Sequence, residues 1–141
     1  MIIMGVDLGY ARTGLSICDR EERMAVPLHV VHERNETLLV QKLSDAAHER
    51  KAEEIVVGLP INMDGTEGES AAHAREIAEK LAVVSMLPVA FMDERGTTVT
   101  AHNLLNDTNK RGKKRKAAVD AVAATIILQD YLNYRRNKSM E

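Results

Sequence analysis

Three short apolar runs, at residues 2–6, 14–18 and 26–31, follow one another before any stretch with helical periodicity begins. They are rich in branched side chains and separated by polar, turn-like residues, which predicts three strands joined as an antiparallel meander. From residue 35 the period changes. Leu38, Leu39, Leu43, Ala46 and Ala47 recur at spacings of three and four, the mark of an amphipathic helix over 35–50. A buried strand is predicted at 55–58, stopped by Leu59 and Pro60. Thr66 with Glu69 reads as a capping box opening a helix whose face is Ala71, Ala74, Ile77, Ala78 and Leu81. A fifth strand is expected at 88–92, then a short helix capped by Thr97 or Thr98 and carrying Leu104 and Leu105, and a last helix over 117–134. Hairpin strands followed by strand–helix alternation predict an α/β fold: a five-stranded mixed sheet, three strands antiparallel plus two parallel, with helices on both faces.

At 141 residues and 45% apolar content the chain has the size of one domain, 1–141, with a polar tail at 135–141 that is expected to be disordered. The single cysteine, Cys18, excludes an intrachain disulfide framework, and no charged-then-apolar leader precedes the first strand. The expected compartment is the cytoplasm. No apolar stretch approaches the ~20 residues of a membrane helix, so no membrane partner is expected. Nothing in the sequence specifies an oligomeric state. The scattered methionines read as core filling, and the five histidines show no metal-ligand spacing. The net charge of −2 would argue weakly against nucleic acid if it were evenly spread. It is not: Lys110, Arg111, Lys113, Lys114, Arg115 and Lys116 fill six of seven consecutive positions.

Carboxylates stand where the pattern predicts burial or a strand end. Asp7 closes the first strand and is followed by Leu8 and Gly9, a glycine that would let a phosphate or metal approach the backbone. Asp93 and Glu94 follow the fifth strand, and functional groups of open α/β sheets gather at the carboxyl ends of parallel strands. Either could share an edge with Asp7, and spacing does not choose between them. Asp120 is the only charged residue between Ala117 and Gln129, among Ala117, Ala121, Ala123, Ala124 and Ile127. Small residues let a helix approach a sheet closely, and a carboxylate buried there without a cation would cost several kcal/mol. Asp64 lies in the turn Asn62-Met63-Asp64-Gly65, which reads first as a tight turn and second as a support for the site.

Acidic groups from separate elements, with no histidine or cysteine cluster, are what Mg²⁺ or Mn²⁺ requires. A pair of such ions roughly 3.5 to 4 Å apart activates water and stabilises the leaving oxygen of a phosphodiester. The basic segment completes this logic, because a carboxylate cluster repels a polyanion and cations must hold it nearby. At 3% aromatic residues, base stacking is not expected to dominate binding.

With these residues in place the chain resembles the YqgF/RuvX family, ribonuclease H-like proteins described as Holliday junction resolvases and as pre-16S rRNA nucleases. The matching segments are Gly5-Val6-Asp7-Leu8-Gly9 with Gly14; Val56-Val57-Gly58-Leu59-Pro60 leading to Asn62-Met63-Asp64-Gly65; Asp93-Glu94-Arg95 with Thr97-Thr98; and Asp120 with Ala123-Ala124 and Ile127-Leu128-Gln129. The resemblance implies a ribonuclease H-like domain, divalent-metal phosphodiester hydrolysis, nucleic acid as partner and a role in maturing the 5′ end of 16S rRNA, with branched DNA as the alternative substrate. It also implies that Asp7, Glu94 and Asp120 are the catalytic and metal-binding residues, supported by Gly9, Asn62, Asp64, Asp93 and Arg95. Gly96 departs from the family, which usually has a larger apolar residue there. An actin-like ATPase shares the Asp-Leu-Gly start but needs two large domains, and a non-catalytic nucleic-acid-binding module would keep the fold without turnover.

Overall fold

The computed structural model describes residues 1–94 and 112–139, with side chains from 121 onward in the second segment. The strands are β1 (Ile3–Asp7), β2 (Arg12–Cys18), β3 (Ala25–His32), β4 (Glu54–Leu59) and β5 (Val89–Asp93), and the helices α1 (Glu36–Glu49), α2 (Glu69–Ser85) and α3 (Gly112–Ser139). They form one five-stranded sheet in the order β3-β2-β1-β4-β5. The meander β1-β2-β3 is antiparallel, and β4 and β5 extend it in parallel with β1. This is the predicted mixed sheet. The expected short helix with Leu104 and Leu105 lies outside the described residues.

Strand alternation divides the core into two layers. Met4, Val6, Leu15, Ile55 and Val57 point to one face and pack against Leu39 and Leu43 of α1 and Ile77 and Leu81 of α2. Ile3, Cys18 and Val56 point to the other, under Ile127, Leu128, Tyr131 and Leu132 of α3. Each of these large aliphatic side chains, fully withdrawn from water, contributes about 1.5–3 kcal/mol. Cys18 is structural: its Sγ accepts the Ile3 N–H at 3.2 Å, and burial pushes its thiol up.

Helix boundaries follow local chemistry. Asn35 caps α1, its side chain accepting the Leu38 N–H at 3.0 Å. The capping box expected at Thr66 does not form; Gly68 is the N-cap of α2 and makes no side-chain cap bond. Thr66 is already engaged, its N–H and hydroxyl both donating to Asp64 Oδ1, at 3.0 and 2.6 Å. At the other end α3 extends well beyond the expected 117–134. Lys113 to Lys116 lie on helical backbone, not in a loop, since lysine and arginine are good helix formers. The tail does not fray before Ser139, because Arg135 is fixed by Glu22 at 2.7 Å. The methionines also divide: Met4 is buried, whereas Met24, Met63 and Met86 are exposed, so core filling describes only some of them. Among the described residues no helix is long and apolar enough to cross a membrane.

Candidate active site

The three parallel strands end at one edge of the sheet, and alternation decides which side chains meet there. On β1, Ile3 packs in the α3 layer and Met4 and Val6 in the other, so Asp7 falls on the α3 side. On β5, Ala90 and Met92 pack toward α3, and Val89 and Phe91 away from it. The Glu94 N–H donates to the Leu59 carbonyl at 3.2 Å and prolongs this register by one residue. Parity therefore places Glu94 with Asp7, and Asp93 on the opposite side, where it is exposed.

The carboxyl groups of Asp7 and Glu94 are hydrogen-bonded to each other. Two acids held this close resist ionising together. Burial pushes the Glu94 carboxyl above its ordinary range; the Asp7 bond acts against that rise, and the charge of Asp93 adds to it. Gly58 on β4 supplies the room, since a Cβ there would run into Glu94 Oε2 and Ile127 Cδ1. A glycine inside an otherwise apolar strand is a sequence signal for such close approach.

Helix α3 runs over the sheet with its C-terminal part above the strand starts, where the Tyr131 hydroxyl donates to Glu54 Oε2 at 3.1 Å. Ala124 and Leu128 lie over Gly5, and Ile127 over Gly58. Residues 120, 123, 124, 127, 128 and 131 form one helical stripe, so Asp120 occupies the sheet-facing stripe one turn before Ala124, toward the strand ends that carry Asp7 and Glu94. Its side chain lies outside the described residues, as do those of Lys113, Lys114, Arg115 and Lys116. Arg95, Lys110 and Arg111 lie outside them altogether.

The remaining candidates have local duties. Gly9 is required by the β1–β2 turn, where a Cβ would strike the Arg12 carbonyl. Asn62 and Asp64 belong to a closed turn: Asn62 Nδ2 donates to Thr66 Oγ1 at 3.0 Å, and Gly65 adopts φ +90°. The tight-turn reading of this segment holds, and Thr66 holds the Asp64 carboxyl below the usual range. Beside Glu94 opens a cavity of ≈ 440 Å³, lined among others by Gly9, Tyr10, Pro60, Ser70 and His73. Tyr10 and Gly58 were not singled out in the sequence; Gly58 had a signal, and Tyr10 had only its scarcity as an aromatic.

The donor set suits a hard divalent cation: two carboxylates from different parts of the sheet edge, held together where burial disfavours their charge. A second acidic group, Glu36, His73 and Glu76, has ligand atoms within 4.8 Å of one another. There Lys80 Nζ lies 3.0 Å from Glu36 and 3.2 Å from Glu76, so the cluster already holds one cation of the chain's own.

Comparison with known proteins agrees with this architecture. The chain is 39% identical over 135 residues to a protein of Chloroflexus aggregans named "Putative pre-16S rRNA nuclease", covering 96% of this chain and 95% of the relative. A protein of the same name from an Anaeromyxobacter species is 41% identical, with 96% and 98% covered. Among solved structures, Thermus thermophilus RuvC superposes with a TM-score of 0.59 at 16% identity, with 97% of each chain covered. The fowlpox virus resolvase bound to Holliday junction DNA gives 0.59 at 10% identity, with 96% of this chain and 99% of that chain covered. These two likenesses establish the fold. The sequence model of the RuvX family, described as Holliday junction resolvase, matches residues 1–134, and the chain belongs to that family.

Proposed function

We propose that this chain is a divalent-metal-dependent nuclease hydrolysing nucleic-acid phosphodiesters, acting in the cytoplasm on the 5′ end of pre-16S rRNA. The observation that carries the reading is the meeting of the Asp7 and Glu94 carboxyls above Gly58, at the ends of parallel strands. Asp7, Glu94 and Asp120 are the residues that would hold Mg²⁺ or Mn²⁺. When bound, the metal supplies activation of water and neutralisation of charge on the leaving oxygen. The protein's own part is to fix two carboxylates from the sheet and to bring the Asp120 turn of α3 toward the same edge. Acidic groups held on rigid strands need no rearrangement before a phosphate is positioned against them.

The basic stretch supports substrate binding. Lys113 and Lys114 stand in the first turn of α3, where the helix dipole is positive and each cation costs about 0.3–1 kcal/mol. A cost of that kind is consistent with a function in holding phosphate. The names of the relatives favour precursor rRNA, and the family description favours branched DNA as the second reading.

The test is cleavage of a 5′-extended pre-16S rRNA fragment and of a four-way DNA junction, side by side, in Mg²⁺, Mn²⁺ or EDTA. Metal-dependent cut sites in the rRNA precursor, lost in Asp7→Asn, are expected. Cutting of the junction alone would move the substrate to DNA. Binding of both without cutting in any metal would overturn the nuclease reading in favour of a binding module.

A further inference from the structure

In a chain with three tyrosines, one phenylalanine and no tryptophan, one ring lines the cavity that Glu94 borders and stands almost wholly in water. Tyr10 lies in the β1–β2 turn, three positions after Asp7, and is 87% exposed. It lines the same cavity as Glu94. The Arg34 guanidinium lies 5.8 Å from the centre of the Tyr10 ring and places a cation beside it, while the ring stays open to water. Arg34 in turn borders a second concavity of ≈ 580 Å³, with Arg12 and His32. The Tyr10–Arg34 pair thus stands between the acidic site and a surface bearing cations.

Two of the acidic residues along this path are paired with lysines, while Glu69 also lines the cavity. Glu33 is paired with Lys42 at 2.8 Å, and Glu36 with Lys80 at 3.0 Å. A polyanion leaving the carboxylate pair in this direction meets an aromatic face, then arginines. Nucleobases bind such surfaces by stacking on the ring while the flanking phosphate lies against guanidinium. A base still paired within a duplex has its faces covered by its neighbours and offers nothing to the ring.

We propose that Tyr10, flanked by Arg34, is a stacking platform for one unpaired nucleobase next to the Asp7–Glu94 site, so that the site selects a strand that is single or locally opened at that point. The proposal rests on the nuclease reading for the identity of the ligand as nucleic acid, and it is tested by binding alone, without cleavage.

The probe is a single-stranded oligoribonucleotide of about a dozen residues, within the span one binding surface covers, labelled for fluorescence anisotropy and titrated in EDTA. It is compared with the same strand annealed into a full duplex and with versions carrying one abasic position each. Tyr10→Ala is expected to weaken single-strand binding about 10-fold and Tyr10→Trp to restore it, with duplex binding unchanged. Removing the base at one particular position should weaken the wild type by the same factor and leave Tyr10→Ala unaffected, because the two changes delete one contact. Because Tyr10 is exposed, an unchanged melting temperature in each variant excludes misfolding as the cause. Equal single-strand affinity of wild type and Tyr10→Ala, or abasic losses that add to those of Tyr10→Ala at every position, would overturn the platform. A chain that never cleaves but shows the Tyr10-dependent loss would refute the nuclease reading and leave the platform standing.

Discussion

Ser16 Oγ donates a 2.7 Å hydrogen bond to the carbonyl oxygen of Ala124, joining the middle of β2 to α3 one turn from Asp120. The bond is buried, and beside it the bare backbone of Gly5 lets the helix descend onto β1. The height of α3 above the sheet, and with it the distance from the Asp120 turn to Asp7, is set at this contact. A polar residue inside a strand and a glycine beside it thus act on the candidate site without touching it.

Gly5→Ala should therefore cost more than Ser16→Ala. The added methyl would collide with Ser16 Oγ, the Ala124 carbonyl and Leu128 Cβ, two of which are fixed by the helix backbone. Overpacking of this kind costs about 1–3 kcal/mol, and loss of the Ser16 bond alone about 1 kcal/mol. Urea unfolding of both variants measures the difference, and a Gly5→Ala protein as stable as Ser16→Ala would show that the helix yields freely.

Gly58→Ala is expected to separate activity from stability. Its methyl would meet the ends of two flexible side chains, Glu94 and Ile127, which can move aside at a cost of about 1 kcal/mol. The Glu94 carboxyl would then be displaced from Asp7. A shift near 1 Å at a reacting centre costs on the order of 10²-fold in rate. Cleavage assays with a parallel thermal melt decide it; full activity in Gly58→Ala would remove Glu94 from the candidate site.

Much of this was legible before any coordinates. The meander and its parallel continuation follow from where period two gives way to period 3.6; Asp7, Asp93 and Glu94 follow from their places at strand ends, and Asp120 from its isolation in an apolar helix. Asp93 and Glu94 could not be separated by spacing, because the choice depends on the parity of β5 against β1, and that is set by the register through β4. The capping box at Thr66 failed because Asp64, two residues away, competes for the same hydroxyl. The continuation of α3 to Ser139 is hidden in the sequence because Arg135, in a polar stretch, finds its partner Glu22 far along the chain. Tyr10 was invisible as a functional residue because a lone turn aromatic has no pattern; only its place beside Glu94 distinguishes it.

The Glu22–Arg135 pair gives a pH dependence with a definite sign. The bond from Arg135 holds the Glu22 carboxyl below its ordinary value of 4.5, assisted by the N-terminal amine at 3.0 Å, while partial burial opposes them. A carboxyl with a lowered folded value contributes stability above its unfolded value and loses it as pH falls through the folded one. The pair is partly exposed, so Glu22→Gln should lose only about 1 kcal/mol at neutral pH. The gap between wild type and variant should narrow as the pH falls below 4.5 and through the lowered folded value. A gap that persists into that range would assign the effect to packing.

Asp7→Asn should abolish cleavage while leaving the metal-free protein at least as stable as the wild type. The Asp7–Glu94 contact brings two acids together where burial already disfavours charge, and an amide that donates to Glu94 relieves their mutual repulsion. A gain of about 1 kcal/mol corresponds to roughly 2–8 °C in melting temperature for a domain of this size. Added Mg²⁺ should raise the wild-type melting temperature and not that of the variant. Nucleic-acid affinity should stay the same or increase, since one charge that repels phosphate is gone. Equal cleavage by wild type and variant in Mg²⁺ would end the assignment of Asp7 as a catalytic residue.

The basic start of α3 is open to a thermodynamic count. Each phosphate neutralised contributes roughly −0.9 to the slope of log affinity against log salt on duplex and about −0.7 on single strands. Changing Lys113, Lys114 and Arg115 together to Ala should reduce the magnitude of that slope by up to about 2 to 3 units. Affinity should fall by the same factor for every sequence, because contacts to phosphate carry no base code. The triple variant also removes cations from the positive end of a helix, so its melting temperature should hold or rise, which separates lost binding from lost folding. An unchanged salt slope on both rRNA and junction substrates would mark this end of the helix as ordinary solvated surface and send the search for the phosphate-binding face toward Arg12 and Arg34.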